Sequence, residues 1–81
     1  MATRITSVEQ LDEVLTEGKT DFCILLMGGA ARSSKHIERS ADGRYDVFNE
    51  IDASSQSLTR EELYSDSNIG RAIENGAFFA Y

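Results

Sequence analysis

The chain contains no proline and no tryptophan, and it has a single cysteine and a single histidine. One cysteine excludes a disulfide framework within the chain. One histidine, His36, with no second histidine or cysteine beside it in sequence, does not specify a metal site. Long apolar runs are also missing. The longest, Phe22 to Met27, falls far short of the roughly 20 residues needed to span a bilayer, so no membrane association is expected. The first residues, MATRITSVEQ, lack the apolar centre of a secretory signal, and a cytoplasmic protein is expected. Basic residues are few, 8 against 14 acidic ones, for a net charge of −6. A general nucleic-acid binder needs lysine and arginine to displace counterions, so direct nucleic-acid binding is not expected. No nucleophile–base pair or catalytic carboxylate pair is placed by spacing alone. The chain is therefore not read as an enzyme, and no cofactor is implied.

What is present is one domain's worth of patterned sequence, residues 1–81. Ser7-Val8-Glu9-Gln10 fits a capping box. Val8, Leu11, Val14 and Leu15 then recur at helical spacing up to Gly18, which predicts an amphipathic helix over 8–17. Asp21 to Met27 reads as a central strand, with Cys23 inside it as a small core side chain. Asp42-Gly43 predicts a two-residue hairpin turn. With Ala41 and Arg44 flanking it, Arg39 would face Asp46, Ile37 would face Phe48, and Lys35 would face Glu50. Tyr45, Val47 and Ile51 would alternate on the other face. The charged strand Lys35–Ser40 would be a sheet edge. Asp52 to Ser57 reads as a polar loop. Thr59-Arg60-Glu61-Glu62 is a second capping box, with Leu58 and Leu63 as its hydrophobic staple. A short helix to about Ser65 follows. Ser67 or Asn68 would then cap a further helix, Ile69 to Asn75, which stops at Gly76. The aromatic tail Ala77 to Tyr81 predicts a last strand beside Phe22–Met27, with docking of the tail on a partner as the alternative. The order α-β-β-β-α-α-β makes an α+β domain, an antiparallel sheet of about four strands with helices on one face.

Two candidate sites emerge. The carboxylates Asp46, Glu50, Asp52, Glu61, Glu62 and Asp66 could form an acidic face presenting a phosphate-like array to a basic protein partner. Gly28, Gly29, Arg32, Ser33, Ser34 and Lys35 make a glycine-rich, basic link that could bind an anion or phosphate. It lacks the G-x-x-x-x-G-K-[ST] spacing and the following helix of a P-loop.

The phrases GGAARSSKHI, YDVFNEID and SLTREELYSDSNIGRAIENGAFFAY resemble a family of small proteins carried by phages and other mobile elements, over roughly Asp21 to Tyr81. The resemblance implies a non-enzymatic binding or inhibitor protein of the anti-CRISPR or anti-restriction kind, and it carries over no catalytic residues. The partner it implies is a basic, nucleic-acid-handling complex in a host cytoplasm. The alternatives are a small anion-binding domain using the Gly28–Lys35 link, or an accessory subunit of a larger assembly. The partly apolar second face of the sheet leaves room for a homodimer.

Overall fold

Gly43 decides how the central hairpin closes. Its φ of +86° lies in the left-handed region that glycine enters freely. Among the described residues Ala53 is the one non-glycine with positive φ, so Asp42 does not take the conformation that a two-residue Asp-Gly turn requires. The loop instead holds three residues. The Gly43 amide donates to the Ser40 carbonyl (3.0 Å), and the Ser40 amide donates to the Arg44 carbonyl (2.9 Å). That is a type I turn followed by a glycine bulge. The Asp42 carboxylate accepts from the Arg44 amide (3.2 Å) and from the Ser40 hydroxyl.

The expected register is overturned as a result. Arg39 pairs with Tyr45, Glu38 with Asp46, Ile37 with Val47, His36 with Phe48 and Lys35 with Asn49. Because side chains alternate along a strand, a slip of one residue changes which residues share a face. Ile37, Tyr45 and Val47 now lie together in the core, and Phe48 lies outside it beside His36. Ile51 joins no stripe and is exposed in the turn that follows.

The structure, a computed structural model, describes residues 2–65 and 68–81. Its elements are β1 (Thr3–Arg4), α1 (Val8–Thr16), β2 (Asp21–Leu26), a 3-10 turn (Met27–Gly29), β3 (Ala31–Arg39), β4 (Tyr45–Asn49), β5 (Ser54–Leu58), α2 (Arg60–Ser65), α3 (Asn68–Glu74) and β6 (Phe78–Ala80). The strands form one antiparallel sheet in the order β1-β6-β2-β3-β4-β5. The expectation of about four strands is therefore wrong, because the sheet has six. Ser54–Leu58, whose first four residues were expected to be loop, pairs along its whole length with β4. Its sequence SSQSL is polar because its first four residues are exposed at the sheet edge. Thr3–Arg4 adds a strand too short to leave a periodic signal. The strand holding Lys35 is not an edge either: β3 is interior, between β2 and β4. The residues 31–34 assigned to a loop belong to it.

Local chemistry explains the helices. The Gln10 amide donates to the Ser7 hydroxyl (3.1 Å), as a cap should. The Gln10 side chain does not reach back to Ser7; it accepts from the Thr6 amide and donates to the Arg4 carbonyl, tying α1 to β1. At α2 the box is reciprocal: the Thr59 amide donates to Glu62 (2.9 Å) and the Glu62 amide to the Thr59 hydroxyl (3.2 Å). Ser67, one of the expected caps for α3, lies outside the described residues. All three helices cover one face of the sheet. Val8, Leu11, Val14, Leu63, Ile69 and Ile73 pack there on Phe22, Ile24, Ile37, Tyr45, Val47 and Phe78. The Phe22 and Phe78 rings stack across β2 and β6 with centroids 5.5 Å apart.

Candidate functional site

The other face of the sheet carries no helix among the described residues. Alternation places on it Asp21, Cys23 and Leu25 of β2, Arg32, Ser34, His36 and Glu38 of β3, and Asp46 and Phe48 of β4. Phe79 and Arg4 continue it across β6 and β1, with the Arg4 guanidinium 5.6 Å from the Phe79 ring centre. Tyr81 folds over its middle and hydrogen-bonds Cys23 (2.9 Å), which helps bury that thiol. Phe48 and Tyr81 remain 38% and 46% exposed. Across the strands one row runs Tyr81, Asp21, His36, Phe48, so a carboxylate and an imidazole stand between the two exposed aromatic rings. Arg4 and Arg32 stand toward one end, and Asp21, Glu38 and Asp46 toward the other. Glu38 and Asp46 are direct cross-strand partners, an arrangement of like charges that costs stability. His36 lies 3.4 Å from both Asp21 and Glu38, while no ion pair with a described residue compensates Asp46.

The helix-bearing face is incompletely filled at the β3–β4–β5 end. There a cleft of about 370 Å³ opens over Val47, Leu58 and Ile69, with Ser33, Lys35, Asn49 and Gln56 among its polar walls. The Lys35 ammonium is half-buried and donates to the Asn49 side-chain carbonyl. Burial pushes its pKa below the ordinary value, while nearby Asp52 acts in the opposite sense.

The six residues of the glycine-rich link are not brought together. Gly28 and Gly29 form the β2–β3 turn with φ of +67° and +96°, and they border a separate hollow with Arg4 and Phe79. Arg32 and Ser34 point to the open face, and Ser33 and Lys35 to the cleft, as successive residues of a strand must.

The acidic set is also dispersed. Asp46 is on the open face, and Glu50 is exposed in the β4–β5 turn. Asp52 caps that turn by accepting from the Ser54 amide (3.0 Å) and hydroxyl (2.7 Å). Glu61 lies at the start of α2, where Glu62 is engaged by Thr59 and by Arg44 (3.6 Å). Asp66 lies outside the described residues.

The closest gathering of charge lies elsewhere. Asp12 accepts from Arg39 (2.9 Å), the Tyr45 hydroxyl (2.6 Å) and Arg60 (2.7 Å), and Arg60 also reaches Glu9 (3.0 Å). This group clamps α1 to β3, β4 and the start of α2. Every member is paired, which marks it as a structural hub.

Sequence reasoning missed the surroundings of Lys35, namely Asn49 and Gln56, and it placed Phe48 opposite Ile37. The signal that would have found them is the three-residue hairpin loop, since the register it sets puts Lys35 beside Asn49. No group of three or more His, Cys, Asp or Glu among the described residues is placed to hold a metal ion. No helix among them is long and apolar enough to cross a membrane. Comparison with protein-family models, with curated protein sequences and with solved structures found no match to this chain.

Proposed function

We propose that this chain is a non-enzymatic binding protein that docks on a basic protein partner through the open face of its sheet. The observation that carries this reading is that exposed aromatic rings share one surface with an acidic end at which Asp46 has no ion-pair partner among the described residues. Phe48 and Tyr81 each supply an exposed aromatic contact, and Asp46 sits opposite Glu38, whose own neighbour is His36 at 3.4 Å. Lysine or arginine from a partner would relieve that repulsion, and the net charge of −6 would steer the approach. Nucleic-acid-handling complexes offer such basic surfaces, and the likeness to small phage proteins agrees with an inhibitor of one in a host cytoplasm. The acidic array first expected, spread over β4, a turn and α2, does not supply one surface. The open face replaces it in this reading.

The test is capture of partners from lysate by the wild-type chain, Phe48→Asp and Glu38→Lys/Asp46→Lys, each at low and high salt. The expected result is a stoichiometric partner that Phe48→Asp loses at both salts. The charge-reversed variant should lose it at low salt, where exposed charges are least screened. A partner retained by both variants would remove the open face from consideration.

A further inference from the structure

The end of the sheet opposite Glu38 and Asp46 carries charge of the other sign. The Arg4 guanidinium lies 5.6 Å from the Phe79 ring centre and joins no ion pair among the described residues. Its stem passes Gly76, 4.0 Å from where a Cβ there would stand. It borders a hollow of about 460 Å³ with Leu26, Asn75 and the Gly28–Gly29 turn. A smaller hollow of about 220 Å³ adjoins it, since Leu25, Leu26, Asn75 and Ala77 line both. Arg71 stands over this second one, a helical turn before Asn75, whose amide donates to the Arg71 carbonyl (3.0 Å). Arg71 also joins no ion pair among the described residues. No carboxylate among them lines either hollow, so the two guanidiniums leave this end with an uncancelled positive charge. The adjacent carboxylate in the chain, Glu74, accepts from the Tyr64 hydroxyl (2.7 Å) and lines a different hollow. Apolar surface is also open here: Leu26 is 42% exposed, and Leu25 and Phe79 are half-buried.

We propose that these joined hollows bind a small organic phosphate monoester, its phosphate between Arg4, Asn75 and Arg71 and its hydrocarbon part on Leu26. Two guanidiniums without a carboxylate match a dianion, and their forked N–H groups fit phosphate oxygens bidentately. Asn75 adds a neutral donor beside them. The exposed leucine favours a phosphate that carries a hydrocarbon group over inorganic phosphate. The site uses none of the acidic groups of the docking reading and stands or falls separately from it.

The experiment is a titration of the isotopically labelled full chain with phenyl phosphate, benzoate, inorganic phosphate or phenol at fixed ionic strength. The backbone amide signals of Gly28, Gly29 and Gly76 would be followed by NMR. At about pH 7.5 phenyl phosphate should shift them saturably, benzoate and inorganic phosphate more weakly, and phenol without saturation. At about pH 5.5 phenyl phosphate loses its second charge, whose pKa is about 6, and its affinity should fall while that of benzoate holds. Arg4→Gln and Arg71→Gln change exposed side chains that hold no ion pair, so the fold is kept. Each should weaken phenyl phosphate about three- to tenfold, the loss of one charge-assisted contact at an exposed site. Lys19→Gln removes the same charge beyond the far end of β2 and should leave the affinity unchanged. No saturation by phenyl phosphate, or equal affinity for benzoate or inorganic phosphate, would overturn the proposal. So would undiminished binding in both arginine variants, or a loss in Lys19→Gln as large as theirs.

Discussion

Tyr45 shows how a single side chain joins core and surface. Its ring is buried, and its hydroxyl donates to Asp12 at 2.6 Å. Burial first, and then that hydrogen bond, push its pKa up to about 12. The neutral phenol is thus favoured in the folded state. The stabilisation is complete below the ordinary value of 10.0 and is lost as pH rises from there toward about 12. Tyr45→Phe should cost about 1 kcal/mol in urea unfolding at neutral pH. The same variant should flatten the fall in melting temperature above pH 10.0. A Tyr45→Phe curve with the wild-type alkaline slope would dismiss this assignment. Asp12→Ala removes the acceptor shared by Tyr45, Arg39 and Arg60, so it should cost more, about 2–3 kcal/mol.

At the level of elements, the short helices α2 and α3 depend on their ends and on one close approach. The Thr59 backbone and hydroxyl hold the Glu62 carboxyl below its ordinary pKa of 4.5. The stability this gives is present above 4.5 and lost as pH falls through the depressed value. Thr59→Ala should cost about 1 kcal/mol and reduce the acid sensitivity, both measured by denaturant melts at pH 3 to 7. Gly70 sits where a methyl group would overlap the Tyr64 carbonyl oxygen. Gly70→Ala should therefore destabilise by about 2–3 kcal/mol despite alanine's better helix propensity, and a neutral or stabilising result would deny that contact. The edge strand β5 teaches the opposite lesson. SSQSL has little strand character of its own, and it is ordered by pairing with β4.

For the whole molecule, the three helices lie on one face of a six-stranded sheet and the other face carries no helix among the described residues. The net charge of −6 gives the two possible uses of that open face opposite salt responses. Binding to a basic partner should weaken with added salt. Self-association brings like-charged chains together, so any homodimer should strengthen with salt. Sedimentation of the purified chain at 50 and 500 mM salt separates the two. A dimer that dissociates with added salt would contradict this account of the face.

The sequence by itself determined the features written in neighbouring residues. The caps Ser7 and Thr59, the helical spacing of Val8, Leu11 and Val14, and the apolar strand through Phe22 and Ile24 depend on contacts within a few positions. Only the tertiary structure decided the sheet's size and the hairpin's register. β1 and β5 are strands because a neighbour's backbone pairs with them, not because their side chains alternate in polarity. Asp42-Gly43 is compatible with both a two-residue and a three-residue loop. Burying Ile37, Tyr45 and Val47 together while the Tyr45 hydroxyl meets Asp12 favours the longer one. That single choice put Lys35 beside Asn49 in a cleft and Glu38 opposite Asp46 on the open face.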